Sequence, residues 1–146
     1  MKRADLKRIS FIAAAVWLIV LLRLTVFRNG CFSHGLFSGK IEVNAFGFYA
    51  QLLRYGNLKY FAYLFFGNII WFAPAGVFTR LWGGRFPHAL LYGLLLSLAV
   101  ESGQFILGSG VSELDDLILN TTGALLGYGA CCLVLKRAER RGGKSI

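Results

Sequence analysis

The 146-residue sequence predicts an all-α, polytopic membrane protein, a bundle of four membrane-spanning helices. Hydrophobic residues make up 56% of the chain and charged residues only 16%, whereas a soluble domain has about 25% charged residues. Four long apolar runs follow one another, and none shows the alternating pattern of a barrel strand. This composition also excludes an intrinsically disordered chain, which needs low hydrophobicity.

The four apolar runs are long enough to cross a bilayer as helices. They cover residues 9–27, 60–78, 86–107 and 117–135. A helix of about 19 residues reaches about 28 Å, close to the thickness of the hydrocarbon core. The first run follows a basic start like that of a signal peptide, but Arg23 and Thr25 occupy the place of a cleavage site. We therefore expect it to stay as an uncleaved helix in a single domain, residues 1–146.

The positions of the basic residues predict the orientation of the bundle. Eleven of the sixteen lysines and arginines lie in the N-terminus, in the connection between the second and third runs, and in the tail. Four spans place these three segments on one side, which the positive-inside rule makes cytoplasmic. The net charge of +9 therefore indicates orientation and contact with the lipid bilayer. Without a helix-turn-helix or an aromatic RNA-binding pattern, we expect no nucleic-acid partner.

Residues 28–59, between the first two runs, are too apolar for a plain solvated loop. They carry an apolar stripe flanked by Arg54 and Lys59, and its members are Phe46, Phe48, Tyr49, Leu52 and Leu53. This pattern predicts an outer interfacial helix or a re-entrant segment. A fifth span is disfavoured, because it would place the basic tail outside.

The three cysteines predict neither a disulfide framework nor a zinc site. Cys131 and Cys132 are adjacent within an apolar run, and no CxxC or histidine spacing accompanies them or Cys31. We expect them to pack as small apolar residues. The sequence predicts no metal and no cofactor, although Glu101, Asp115 and Asp116 form a chemically possible hard-cation set.

Polar residues inside the apolar runs are the candidate binding residues. Asn68 lies in the second run, and Glu101 and Gln104 share one helix face in the third. Asp115 and Asp116 precede the fourth run, and Asn120 follows one turn later. A carboxylate within a span is costly unless it is paired, protonated or hydrated, so Glu101 must face the bundle. Its available donors there are Asn68, Gln104 and Asn120.

These residues predict a polar, acidic pocket that opens to the outer face. Four of the seven acids, Glu101, Glu113, Asp115 and Asp116, fall within 16 residues near that side. Several features also have a purely structural interpretation. An aspartate there can cap the fourth helix, and the asparagines can simply join helices. Four residues are typical of helix packing: Pro74, Gly76, Gly123 and Gly127.

The polar residues and glycines form a pattern that resembles the VanZ-like family of small bacterial membrane proteins. Its motifs are NIIWFAPAG from Asn68, ESGQ from Glu101, and DDLILNTTGALLG from Asp115. They keep the family's order over residues 68–127. Weaker similarity at Asn44 lacks the proline that is common there. The arginine that many members carry before the aspartates is also missing.

The resemblance implies a protein of the bacterial cell membrane, linked to the cell envelope or to resistance against the glycopeptide teicoplanin. A cell-wall precursor or a glycopeptide-related ligand is the expected partner of the outer pocket. An intramembrane enzyme with Glu101 as general base, acting on a lipid-linked envelope substrate, is the first alternative. The sequence favours binding, because it has no HExxH motif, nucleophile elbow or nucleophile beside a histidine. We therefore predict no catalytic residue. A structural accessory subunit is the second alternative.

Overall fold

The computed structural model describes residues 3–27 and 35–142. Helices form most of this part of the chain, and a small two-stranded sheet joins them. The elements are α1 (Arg3–Thr25), β1 (Lys40–Glu42), α2 (Gly47–Arg54), α3 (Leu58–Leu81), α4 (Phe86–Ile106), β2 (Val111–Glu113) and α5 (Leu114–Gly142).

Four of the described helices, α1, α3, α4 and α5, are long and apolar enough to cross a membrane. This confirms the predicted all-α, four-span fold class. The helices begin and end near the predicted limits, and α4 differs only by ending one residue earlier. The two terminal helices are longer than predicted because basic residues prolong them: α1 begins at Arg3, and α5 continues to Gly142. Polar residues continue a helix once it has formed, so apolar runs understate its length.

Among its described residues, the segment between α1 and α3 contains one short helix, α2, at the place of the predicted apolar stripe. Tyr49 and Leu52 are the two buried members of that stripe, because only one face of this helix packs on the bundle. Asn57 then begins α3, and its side chain accepts a hydrogen bond from the Tyr60 backbone amide at 3.4 Å. Residues 28–34, predicted as part of the same segment, lie outside the described residues.

The structure contains a parallel pair of three-residue strands that the sequence did not predict. β1 pairs with β2 in a register that sets Lys40 opposite Val111 and Glu42 opposite Glu113. Strands this short carry no alternating pattern long enough to recognise. The pairing ties the segment between α1 and α3 to the connection between α4 and α5. Beside it, the Gly39 amide donates to the Phe105 carbonyl at the end of α4, at 3.1 Å.

The spanning helices run up and down, so the bundle has two chemically different ends. At one end, Phe11 of α1 stacks on Trp82 after α3, with ring centroids 4.5 Å apart, and Phe86 meets Tyr128 of α5. This is the basic end, and its described cations include Lys7, Arg8, Arg80, Arg85, Lys136, Arg137, Arg140 and Arg141. The opposite end, where α4 leads through β2 into α5, is the acidic end.

The closest packing in the bundle joins α3 to α5 through three glycines. A Cβ atom at Gly76 would overlap the Ala124 carbonyl, and one at Gly127 would overlap the Ala73 carbonyl. Gly123 lies equally close to the Ile69 backbone. We call this contact, formed by Gly76, Gly123 and Gly127, the glycine seam. The α1 helix packs less closely, and it enters the core chiefly through Leu21, with Val26 just beyond its end.

Candidate functional site

The acidic end gathers side chains that are distant in sequence. The turn after α4 is closed by a hydrogen bond from the Ser109 amide to the Gln104 carbonyl, 3.0 Å long. β2 then returns along the end of α4, where the Ser112 hydroxyl donates to the Glu101 carbonyl at 2.6 Å. The Glu113 amide donates to Oε2 of Glu101 at 3.0 Å. This return places three acids of β2 and α5 around the Glu101 carboxylate.

Glu101 is a buried carboxylate near the end of a spanning helix. Only 6% of its surface is exposed, and its Oε1 atom has no hydrogen-bond partner among the described residues. The charge of Asp116 acts on it, as do those of Glu113 and Asp115. A buried oxygen without a partner is expensive to maintain and therefore calls for an explanation.

The amide side chains join the helices around Glu101. Asn68 of α3 donates a hydrogen bond to Oδ1 of Asp116. Nδ2 of Asn120 donates to the Ser97 hydroxyl of α4 at 3.0 Å, deep in the bundle. Gln104 lies on the same buried face of α4 as Glu101. The structure thus brings all six predicted binding residues to the acidic half of the bundle: Asn68, Glu101, Gln104, Asp115, Asp116 and Asn120.

The predicted hydrogen-bond pairing within this group differs from the observed one. Asn68, Gln104 and Asn120 were the expected donors to Glu101, yet the hydrogen bond to its carboxylate comes from the Glu113 backbone. The strand β2 explains the difference, because it carries a backbone donor to a place where the sequence predicted a loop. The side-chain amide of Asn68 donates to Asp116 instead.

The acids provide a possible arrangement of metal ligands. One carboxylate oxygen from each of Glu113, Asp115 and Asp116 lies within 4.8 Å of the others. Oxygen ligands around a hard cation such as Ca²⁺, bound at about 2.4 Å, have separations of this size. Asp115 is only 2% exposed, whereas Asp116 is partly exposed. The sequence predicted Glu101 and the two aspartates as the possible ligand set and did not include Glu113, which the β2 backbone positions beside the aspartates.

Tyr49 also belongs to the site, although the sequence predicted it only as a member of an apolar stripe. Helix α2 buries it to 3% exposure against Phe61 and Phe65 of α3. Burial raises the pKa of the Tyr49 phenol, and the negative charges of Asp116 and Asp115 add to that rise. A hydrogen bond with Asn68 lowers the pKa in part. The phenol is therefore a neutral hydrogen-bonding group beside the acids.

A cleft opens beside the acids. Its volume is about 620 Å³, within the range of small-ligand pockets. Helices α1, α2 and α3 contribute most of its walls, and Gln104, Glu113 and Asp116 add polar groups. Its aromatic lining consists of Phe48, Tyr49, Tyr60, Tyr63 and Trp71. We call this space the aromatic cleft; it can receive a ligand that has both an apolar part and a polar part.

The predicted packing residues lie apart from the site, nearer to the middle of the bundle. Gly76, Gly123 and Gly127 form the glycine seam, and Pro74 lies within α3 beside them. Cys131 and Cys132 are half-buried and free, farther along α5, while Cys31 lies outside the described residues. His88 is exposed at the start of α4, at the basic end, and thus far from the acids.

Comparison with known proteins identifies one family. The model of the VanZ/LLP1 family matches residues 9–135, which covers all four spans and every site residue named above. Comparison with the curated proteins and with the solved structures gave no match. Because the matched region is most of the chain, this four-span membrane-type protein belongs to the VanZ-like family.

Proposed function

We propose that this protein is a binding protein of the bacterial cell membrane, with the acidic end at the outer face and both termini in the cytoplasm. The cluster around Glu101 and the aromatic cleft receive part of a cell-envelope or glycopeptide-related ligand. Binding of that ligand lowers the susceptibility of the cell to teicoplanin. Glu101 carries the proposal, because a buried carboxylate inside a span is costly, the more so with one oxygen that has no partner among the described residues, and such a group is kept chiefly where it serves a function.

Charge supports the proposed orientation. The basic end carries most of the described cations, and positive segments stay on the cytoplasmic side. A glycopeptide acts on precursors at the outer surface, which is the side on which this orientation places the cleft.

The composition of the cluster favours binding over catalysis. Its carboxylates meet amides, a backbone N–H and a phenol, whereas the described histidine, His88, lies at the other end. General-base chemistry would still require a reacting group within hydrogen-bond reach of Glu101. Binding requires only the charges and the cleft.

Asp116→Asn tests the proposed role of the acids. Asparagine keeps an acceptor for the Asn68 amide but removes the charge. We expect normal membrane yield together with loss of most of the protection against teicoplanin. Asp5→Asn is the matched control, since Asp5 is exposed at the basic end, and it should retain protection. Normal protection by the Asp116→Asn variant at normal membrane yield would contradict the proposed binding site. A loss of membrane yield would support the alternative that the acids have a structural role.

The orientation has its own test. In a variant whose three native cysteines are replaced by serine, single cysteines are placed at Val43 and at Lys136, both exposed and at opposite ends. A membrane-impermeant maleimide should label the Val43 position in intact cells. It should label the Lys136 position only after permeabilisation, and the reverse pattern would overturn the orientation.

A further inference from the structure

The aromatic cleft has walls of three kinds, which together specify a ligand more closely than its volume does. The ring centroids of Phe48 and Tyr60 lie 6.4 Å apart, and the two ring planes meet at 88°. The ring of Tyr49 adjoins that of Phe48 with an angle of 61° between the planes. Phe48 and Tyr60 both line the cleft, where their rings stand at nearly a right angle, as adjacent walls of an aromatic cage do. Such cages bind ammonium groups, because the ring faces are electron-rich.

Carboxylates lie at the polar side of the same space. Glu113 and Asp116 line the cleft together with the rings, and none of its described lining residues is a lysine or an arginine. A carboxylate and an aromatic face attract the same partner, a cation, and both repel an anion. Tyr49 joins them as a neutral phenol and thus adds no positive charge to the cleft.

The third wall is apolar and faces the lipid. Tyr60, Tyr63, Gly67 and Trp71 recur along one face of α3, and Leu24 of α1 lies opposite. Tyr63 is 74% exposed and Leu24 51% exposed on the bundle surface, which the bilayer surrounds. The strip from Tyr60 to Trp71 is about 16 Å long at the helical rise, close to one leaflet of the hydrocarbon core.

The arrangement differs from the ordinary aromatic belt of a membrane protein. Belt residues lie around the whole circumference at headgroup depth. Here five aromatic side chains from α2 and α3 line a single cleft that also contains two acids. At Trp71, a lining residue of the cleft, the backbone carbonyl accepts a hydrogen bond from the Trp17 indole at 3.0 Å, which joins α1 to α3.

From these walls we infer that the aromatic cleft binds an amphiphile with a cationic amine or quaternary ammonium headgroup. The headgroup sits between the Phe48–Tyr60 corner and the carboxylates of Glu113 and Asp116, and the alkyl chain lies along Tyr63 and Trp71 in the outer leaflet. This inference rests on the proposed function and names the class of ligand. A membrane lipid headgroup or a free amphiphile can supply the same chemistry.

Calorimetric titration of the full-length protein in phosphatidylglycerol nanodiscs tests the headgroup. The probes are hexyltrimethylammonium, hexyl sulfate and hexyl maltoside, which share one alkyl chain, with empty nanodiscs as the blank. We expect the ammonium probe to bind at least about tenfold more tightly than either of the others, in keeping with a desolvated cation–π contact and a carboxylate. Equal binding of all three probes would overturn the inference.

Variants show whether the ring faces are responsible. Tyr60→Leu removes one wall while keeping an apolar side chain, and it should weaken binding of the ammonium probe about tenfold. Tyr60→Phe keeps the ring and should bind nearly as the unmodified protein does. Tyr55→Leu is the control, since Tyr55 is 80% exposed outside the cleft. Equal affinities of the Leu and Phe variants at position 60 would contradict the cage.

Phosphatidylethanolamine in the nanodisc distinguishes the two sources of the headgroup. Weaker apparent binding of the probe in its presence identifies a lipid amine as occupant, and unchanged binding identifies a free amphiphile; either result requires a cleft that binds cations. Failure of the inference is separable from failure of the proposed function. If all probes bind equally while Asp116→Asn still abolishes protection, the ligand class is wrong and the site stands.

Discussion

The glycine seam and the polar cluster at the acidic end use the same helices for opposite purposes. At the seam, Gly76 and Gly127 bring the backbones of α3 and α5 together until no side-chain atom fits between them. At the acidic end, the Asn68 side chain of α3 donates to Asp116 of α5, and a cleft opens beside this pair. The seam minimises free volume, whereas the cluster holds buried charges beside open space.

The difference teaches where stability and function lie in this bundle. Close helix packing is a main source of association between helices in a bilayer, so the seam stabilises the fold. Buried carboxylates with an unpartnered oxygen do the opposite, and proteins keep such groups chiefly where they serve a function. Substitutions in the two regions should therefore separate folding from activity.

The largest effect is expected at the seam. In Gly127→Ala the new Cβ atom would overlap the Ala73 carbonyl, so α3 and α5 must move apart. We expect a loss of about 1–3 kcal/mol of unfolding free energy, typical of overpacking, and a lower membrane yield. Unfolding in detergent micelles measures the loss.

Gly129→Ala is the matched control for that substitution. Gly129 lies on the same helix, but a Cβ atom there meets nothing within 4 Å. Its alanine variant should be as stable as the unmodified protein or slightly more stable, because alanine favours a helix by about 1 kcal/mol over glycine. Equal destabilisation at both positions would mean that the seam is not closely packed.

A smaller effect is expected where the two regions meet, at the buried pair of Ser97 and Asn120. Ser97→Ala removes the acceptor of the Asn120 amide, which already has one unpartnered oxygen among the described residues. We expect a loss of about 1 kcal/mol in unfolding free energy. The double variant Ser97→Ala with Asn120→Leu should recover part of it, since no polar partner is then left behind. Losses that simply add would contradict this pairing.

The fold was largely predictable because long apolar runs determine spanning helices. The runs located all four spans, and the stripe around Tyr49 located α2. The sheet was not predictable, since Lys40–Glu42 and Val111–Glu113 are too short to show a pattern. Its pairing depends on contacts between distant segments, which local propensity does not contain.

The sequence predicted which residues belong to the candidate site better than it predicted the hydrogen bonds between them. Polar residues within apolar runs are rare, so Asn68, Glu101 and Asn120 could be recognised from their surroundings. Which donor meets which acceptor depended on β2, and the donor to Glu101 was therefore assigned wrongly. Tyr49 was missed as a polar group because a tyrosine in an apolar stripe gives no sign that its hydroxyl lies beside acids.

The smallest effect concerns Tyr49 and depends on pH. Folding raises the pKa of the Tyr49 phenol. The unfolded state therefore releases the phenol proton near the ordinary pKa of 10.0, while the folded state still holds it. The stability from this group is complete below pH 10.0 and falls as the pH rises past it. Tyr49→Phe should lose less stability than the unmodified protein at alkaline pH.

Unfolding curves at several alkaline pH values measure the Tyr49 effect. Tyr55→Phe, on an exposed tyrosine, is the control and should follow the unmodified protein. Parallel losses in the Tyr49→Phe variant and the unmodified protein would show that folding does not raise the pKa of this phenol.

Glu101→Gln tests most directly the claim that the acidic end is maintained for function and not for stability. Glutamine keeps an oxygen to accept from the Glu113 amide and replaces the ionisable carboxyl by a neutral amide. We predict an unchanged or higher melting temperature together with loss of protection against teicoplanin per folded molecule, while the matched Glu139→Gln, on an exposed acid, retains both. A lower melting temperature with unchanged protection per folded molecule would contradict the account.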